Sequence, residues 1–199
     1  MDLNIKFIAF ELFAYLCGSI PFGLIISKLA KNIDIREHGS HNIGSTNVAR
    51  TLGKKWGALV LLLDGMKAVV ALLVVKHYYC SRELIMAFTT FVVVCGHVFP
   101  IWLKFKGGKG IACILFSLFV INPKLGILFL ATWILMFLLF RISALSALTA
   151  IVITTIGSYF VSEMYFMMMI ALSVLTFYKH KDNIHRILNG EELKFKKDK

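Results

Sequence analysis

The feature that most constrains this chain is a series of apolar runs, at about 7–29, 56–79, 84–103, 110–121, 125–141, 143–160 and 164–179, each bounded by Gly, Pro, Lys or Arg. A membrane-spanning helix needs about 20 mostly apolar residues, and its backbone groups must be satisfied within the segment. In 199 residues, seven such helices with short loops leave no room for a separate soluble domain. The composition, 58% hydrophobic and 17% charged, departs from a soluble domain in the same direction. The expected fold is therefore an all-α integral membrane protein of about seven transmembrane helices, with residues 1–199 forming a single transmembrane domain. Glu11 and the Pro21 turn spoil the first run as a signal-peptide core, which makes it the first membrane helix.

Sidedness follows from the basic residues. With the N-terminus outside, the inner segments collect Lys28, Lys31, Arg36, Arg50, Lys54 and Lys55, then Lys104, Lys106 and Lys109, then Arg141 and the basic tail after residue 179. The outer segments hold Lys6, Lys76, Arg82 and Lys124. The C-terminus is then cytoplasmic, and the polar chemistry lies on that face. A formal charge of +11 suits nucleic acid, anionic lipid or an anionic substrate until position is considered; its concentration on one side places the function at the cytoplasmic face, and on charge alone the basic tail reads as a segment that attracts anionic lipid. Cys17, Cys80, Cys95 and Cys113 are scattered without ligand-like spacing, which argues against a disulfide framework and against a zinc site.

The first loop, REHGSHNIGSTNVARTLGKK at 36–55, joins glycines at 39, 44 and 53 to Ser40, Asn42, Ser45, Thr46 and Asn47 and includes Arg50. Converging backbone N–H groups, short polar side chains and a bidentate arginine make a phosphate pocket. The second, GHVFPIWLKFKGGKGIA at 96–112, fails the Walker spacing because Gly110 follows Lys109. Its narrower reading is an anion site: Gly107 and Gly108 in a turn that opens a helix, with Lys106 and Lys109 beside the N-terminal amides. The third, HKDNIHRILNGEE at 180–192, spaces His180, Asn183 and Arg186 three apart, on one face of a continuing helix. Within the spans, Asp64 and Lys67 stand at i, i+3 and are expected to pair, whereas Glu11 has no evident partner.

Together the loops identify a resemblance. GSHNIGSTNVARTLG resembles GSGNxGATNxxRxLG, GHVFPIWLKFKGGKGIA resembles GHxFPxFxxFKGGKGVA, and HKDNIHRILNGEE resembles HRxNIxRLxxGxE, the signatures of the bacterial acyl-phosphate-dependent glycerol-3-phosphate acyltransferases, the PlsY family. LLDGMK at 62–67 and FRISALSAL at 140–148 resemble that family's intervening segments.

The resemblance implies a seven-helix enzyme of the bacterial plasma membrane with its active site facing the cytoplasm. It would transfer an acyl group from acyl phosphate to glycerol 3-phosphate, giving lysophosphatidic acid and phosphate, without metal, nucleotide or other cofactor. Implied partners are the two substrates and membrane lipid, with no nucleic acid and no obligate protein. Carried over by motif, the Gly44–Ser45–Thr46–Asn47 turn would cradle the acyl phosphate. Ser40, Arg50, Lys109, His180 and Asn183 would hold glycerol 3-phosphate and form the catalytic set; Asn42, His97, Lys106, Gly107 and Gly108 complete the binding set. His180 is the best side-chain candidate to accept the hydroxyl proton. Three positions depart from the signature: His41 replaces a usual Gly, Ile43 a common Pro and Ser45 a usual Ala. The HxxxxD pair of acyl-CoA-type acyltransferases is absent, since no histidine here is followed by Asp five positions on. A transporter for an organic phosphate would need polar residues distributed through the spans, and those are sparse.

Overall fold

The structure is a computed structural model that describes residues 3–79 and 82–195. Cys80 and the lysines at the end of the tail, counted above, lie outside the described residues. The described chain is helical and falls into two compact units, residues 1–121 and 122–199.

The first unit opens with α1 (Leu3–Ser19) and α2 (Phe22–Lys31). The expected helix at 7–29 is thus broken. Pro21 supplies no N–H and disfavours the helical conformation at Ile20, so the helical ladder stops there and the Ile20 carbonyl takes the Phe22 amide at 3.1 Å in a tight turn. After a one-turn 3-10 helix at Ile35–Glu37 come α3 (Ser45–Leu52), α4 (Lys54–Tyr79), α5 (Glu83–Val98), a second 3-10 turn at Ile101–Leu103 and α6 (Ile111–Ile121). The "loop" of 36–55 therefore contains a two-turn helix. The second unit holds α7 (Pro123–Phe140), α8 (Ser143–Tyr159), α9 (Glu163–Lys179) and α10 (Lys181–Leu188). Asn122 caps α7 by accepting from the amides of Lys124 and Leu125, with Pro123 at the first helical position, where no N–H is needed.

Four stretches are long and apolar enough to cross a membrane: Ile5–Lys31, Lys54–Tyr79, Glu83–Leu103 and Pro123–Phe140. Helix α4, at 26 residues, is about 39 Å long, more than the roughly 30 Å hydrocarbon core. Ile111–Ile121 and Ser143–Tyr159 are shorter apolar helices. Large apolar side chains such as Leu73, Ile127, Leu138 and Val174 face outward, the pattern of helices solvated by lipid.

In the first unit α4 is the centre, packed by α1, α3, α5 and α6. Helices α1 and α5 approach closely at two glycines. A Cβ on Gly18 would strike the Val93 carbonyl, and one on Gly96 the Tyr15 carbonyl. Such small-residue seams replace the hydrophobic drive that lipid removes. Polar clasps fasten the same pair of helices. Tyr15 Oη donates to the Phe99 carbonyl at 2.7 Å, and Thr89 Oγ1 donates to Glu11 Oε1 at 2.7 Å. Glu11 thus has the partner that could not be named from the sequence. In the second unit α8 packs on both α7 and α9, and Thr155 and Ser173 join hydroxyls at 2.8 Å across the α8–α9 seam.

The glycine seam makes a direct test. Gly18→Val is expected to cost about 1–3 kcal/mol by overpacking, read as a lower melting temperature in detergent; an unchanged melt would contradict the close approach of α1 and α5.

Candidate active site

The first loop is organised by one side chain. Asn47, 1% exposed, receives the Ser40 amide on its Oδ1 at 2.8 Å. Its Nδ2 lies within hydrogen-bond reach of three carbonyls, those of Ile35 at 3.2 Å, His38 at 2.9 Å and Asn42 at 2.9 Å. A primary amide has two donors and one carbonyl oxygen, so this side chain is saturated by the loop it holds. Gly39, at φ +60, passes so close that a Cβ there would meet Asn47 Oδ1. Asn42 contributes similarly, its Oδ1 accepting from the Gly44 amide at 2.8 Å. What Asn42 and Asn47 supply is shape, while the amides of Ser45 and Thr46 sit in the first turn of α3, where an α-helix provides no acceptor of its own. Those amides, the half-buried Ser40 and Arg50, and the positive end of the α3 dipole form an anion-receptive edge.

Both departures in the loop's middle find an explanation. His41 adopts φ +57, the left-handed conformation for which glycine is the ordinary choice; its ring Nδ1 meets the Arg36 carbonyl at 2.9 Å, which helps to offset the strain. Ile43 is buried with Ile35, Val48 and Val60, and Leu24, Trp56 and Leu103 pack on that cluster. Since Leu103 belongs to the second loop, the first two loops rest on one apolar floor. At the loop's entrance Arg36 grips Asp34 with Nε and Nη2, the latter at 2.6 Å. That hydrogen bonding holds the Asp34 carboxyl down to about 2.

In the second loop, Gly107 and Gly108 have a structural task. Their amides donate to the carbonyls of Val98 and His97, each at 3.1 Å, so these N–H groups are not offered to an anion, contrary to the expectation for a glycine-rich anion turn. A Cβ on Gly108 would strike Nε2 of the His97 ring. The turn between these paired segments carries Lys104 and Phe105, both at positive φ. Lys106 is exposed, whereas Lys109 is half-buried just ahead of α6.

Beneath this loop lies a buried cluster. Lys67 Nζ contacts Asp64 Oδ1 at 2.8 Å, the Ile20 carbonyl at 2.7 Å and His97 Nδ1 at 2.9 Å. The Asp64–Lys67 pair expected from the i, i+3 spacing is present, and His97 belongs to it.

In the second unit, His180 is 2% and Asn183 5% exposed, as their shared helical face requires. The His180 Nδ1 lies 2.8 Å from the Thr176 carbonyl. A carbonyl can only accept, so Nδ1 carries the proton and neutral His180 keeps a lone pair on Nε2. Glu192, buried at 7% exposure, accepts from Asn183 Nδ2 and from Arg186 Nε, each at 2.8 Å. The sequence reading overlooked Glu192 as an organiser; its signal was its place as the last residue of the third motif.

Comparison with known proteins agrees with these features. The family model described as glycerol-3-phosphate acyltransferase matches residues 8–190. The chain is similar to glycerol-3-phosphate acyltransferases of the Wolbachia endosymbiont of Brugia malayi (strain TRS), 43% identical over 96% of this chain and 98% of the relative, and of Pelagibacter ubique (strain HTCC1062), 42% identical over the same shares. Among solved structures it resembles PlsY (YgiH), an integral membrane glycerol 3-phosphate acyltransferase, in its glycerol 3-phosphate form: TM-score 0.91, 36% identity, 96% of each chain. Its lysophosphatidic acid form gives a TM-score of 0.88 at 35% identity.

Three outcomes test the first loop and its entrance. Asn47→Ala strands several buried backbone groups and should lower stability by at least about 2 kcal/mol, with faster proteolytic cleavage within 36–53. His41→Gly should stay within about 1 kcal/mol of the parent, while His41→Val, which cannot relax at positive φ, should be clearly less stable. The Asp34–Arg36 grip works above the ordinary carboxyl pKa of 3.8 and is lost as pH falls through about 2; being at the surface, it should shift the acid unfolding midpoint only slightly on Asp34→Asn.

Proposed function

This chain belongs to the glycerol-3-phosphate acyltransferase family, and on that premise we propose that it moves a fatty acyl group from acyl phosphate to glycerol 3-phosphate. The reaction would take place at the cytoplasmic face of a bacterial plasma membrane, crossed seven times with the N-terminus outside. The observation that carries the reading is the start of α3 in the first loop, the positive end of a helix, held in place by Asn47 and flanked by Ser40 and Arg50.

In the proposed step the terminal hydroxyl oxygen of glycerol 3-phosphate attacks the acyl carbonyl carbon. The bond from that carbon to the phosphate oxygen breaks, releasing inorganic phosphate and 1-acyl-glycerol 3-phosphate. An acyl phosphate is a mixed anhydride with a good leaving group, so positioning and charge neutralisation of two anions account for the catalysis without a covalent intermediate. The first turn of α3, from Gly44 through Asn47, takes the donor's phosphate. Ser40, Arg50 and Lys109 take glycerol 3-phosphate, to which the family resemblance also assigns His180 and Asn183. The hydroxyl proton has two bases to choose from, His180 Nε2 and the departing phosphate. The acyl tail remains in lipid, and its burial, about 0.8 kcal/mol per CH₂, helps to hold the head in place.

The purified protein in detergent should convert acyl phosphate and glycerol 3-phosphate into equal amounts of lysophosphatidic acid and phosphate. A preference for acyl-CoA or acyl carrier protein would overturn the donor, and absence of product with all three would overturn the enzyme reading. Arg50→Ala and Lys109→Ala should each lower kcat/KM by about 30-fold or more, the usual effect of removing a charge that pairs with a buried anion.

A further inference from the structure

The Lys67 ammonium is 3% exposed at its side chain and carries three N–H groups. It has three acceptors within 2.9 Å, one on each of three elements: Asp64 on its own helix, the Ile20 carbonyl at the break between α1 and α2, and His97 near the end of α5. An ion pair with Asp64 would satisfy the charge requirement alone. It does not explain why the remaining donors reach a helix break and a histidine. The same Nδ1 lies 3.6 Å from Asp64 Oδ1; an ammonium can only donate, so the Lys67–His97 contact is a hydrogen bond when Nδ1 offers its lone pair and the ring's proton sits on Nε2, the atom that lies against Gly108. From the same residue the His97 carbonyl accepts the Gly108 amide. One residue thus touches the glycine-rich segment with its ring and its backbone, immediately before Lys109.

We propose that Lys67, aimed by Asp64, is a positioning residue: it fixes the orientation and tautomer of His97, and His97 in turn sets where the Gly107–Gly108 segment delivers Lys109 to the phosphate of glycerol 3-phosphate. The inference rests on Lys109 as a ligand of that substrate. Neither Lys67 nor Asp64 touches substrate, since the ammonium's donors are all engaged within the protein.

The test uses variants that avoid a lone buried charge. Asp64→Asn with Lys67→Met removes the ammonium and keeps the cluster neutral. The folded double variant should raise the KM for glycerol 3-phosphate about tenfold or more, the scale of a small misplacement transmitted to a site, and leave the KM for acyl phosphate within about twofold. Equal rises in both, or none, would overturn the proposal. Coupling through the ring gives a second measurement. Gly108→Ala should raise the same KM in the parent protein but add little to His97→Ala, where the space for its Cβ exists; additive effects would contradict the contact. Nitrogen NMR of labelled histidine supplies a readout independent of turnover: the His97 signals should report a proton on Nε2 in the parent and change in the neutral double variant, and identical signals would overturn the Lys67–His97 link. Lys109→Ala run alongside separates the two levels. If it leaves the KM for glycerol 3-phosphate unchanged, the assignment of Lys109 falls; if it raises that KM while the double variant does not, only the positioning role falls.

Discussion

A lysine ammonium sealed inside an apolar helical unit has few ways to exist, and the arrangement around Lys67 follows from that constraint. Each N–H must find an acceptor, because hydrocarbon and packed side chains offer none. One acceptor comes from Asp64, one turn earlier on α4. Another comes from Ile20, whose carbonyl, at the break that Pro21 makes in the first membrane stretch, accepts from Lys67 as well as from the Phe22 amide. The third is the ring of His97. The break between α1 and α2, the central helix α4 and the end of α5 are thereby joined at one point, and the glycine-rich segment is laid against the histidine of that junction.

The first loop solves a different problem by related means. A polar loop at the start of a helix holds its shape only if its backbone groups are tied together. Asn47 does this: its side chain joins the backbone at Ile35, His38, Ser40 and Asn42, which fixes where α3 begins. The cluster of Ile35, Ile43, Val48 and Val60 gives the polar framework an apolar base.

Much of this was legible in the sequence where the information is local. Apolar runs marked the helices, the i, i+3 spacing marked the Asp64–Lys67 pair, and the spacing of His180 and Asn183 marked a common face that proves to be buried. What escaped was nonlocal or ambiguous in kind. Thr89 is far from Glu11 in the chain, and His97 from Lys67, so no periodicity links either pair. Pro21 was legible as a turn, but the hydropathy of the run continues across it, so 7–29 still read as one membrane helix. An asparagine in a polar loop reads equally as a ligand and as a brace, and glycines before a helix read equally as anion donors and as a close-packed segment. In the fold, the Asn47 side chain and the Gly107 and Gly108 amides bind the backbone of their own loops. Glu192 was overlooked because its two donors, Asn183 and Arg186, meet it only through the turn that follows α10.

The central claim is that two anionic substrates meet at once and the acyl group passes directly between them. Initial rates measured while acyl phosphate and glycerol 3-phosphate are varied together test it most directly. Direct transfer predicts intersecting double-reciprocal lines, the pattern of a ternary complex; parallel lines, the mark of an acyl-enzyme formed before the second substrate binds, would contradict it.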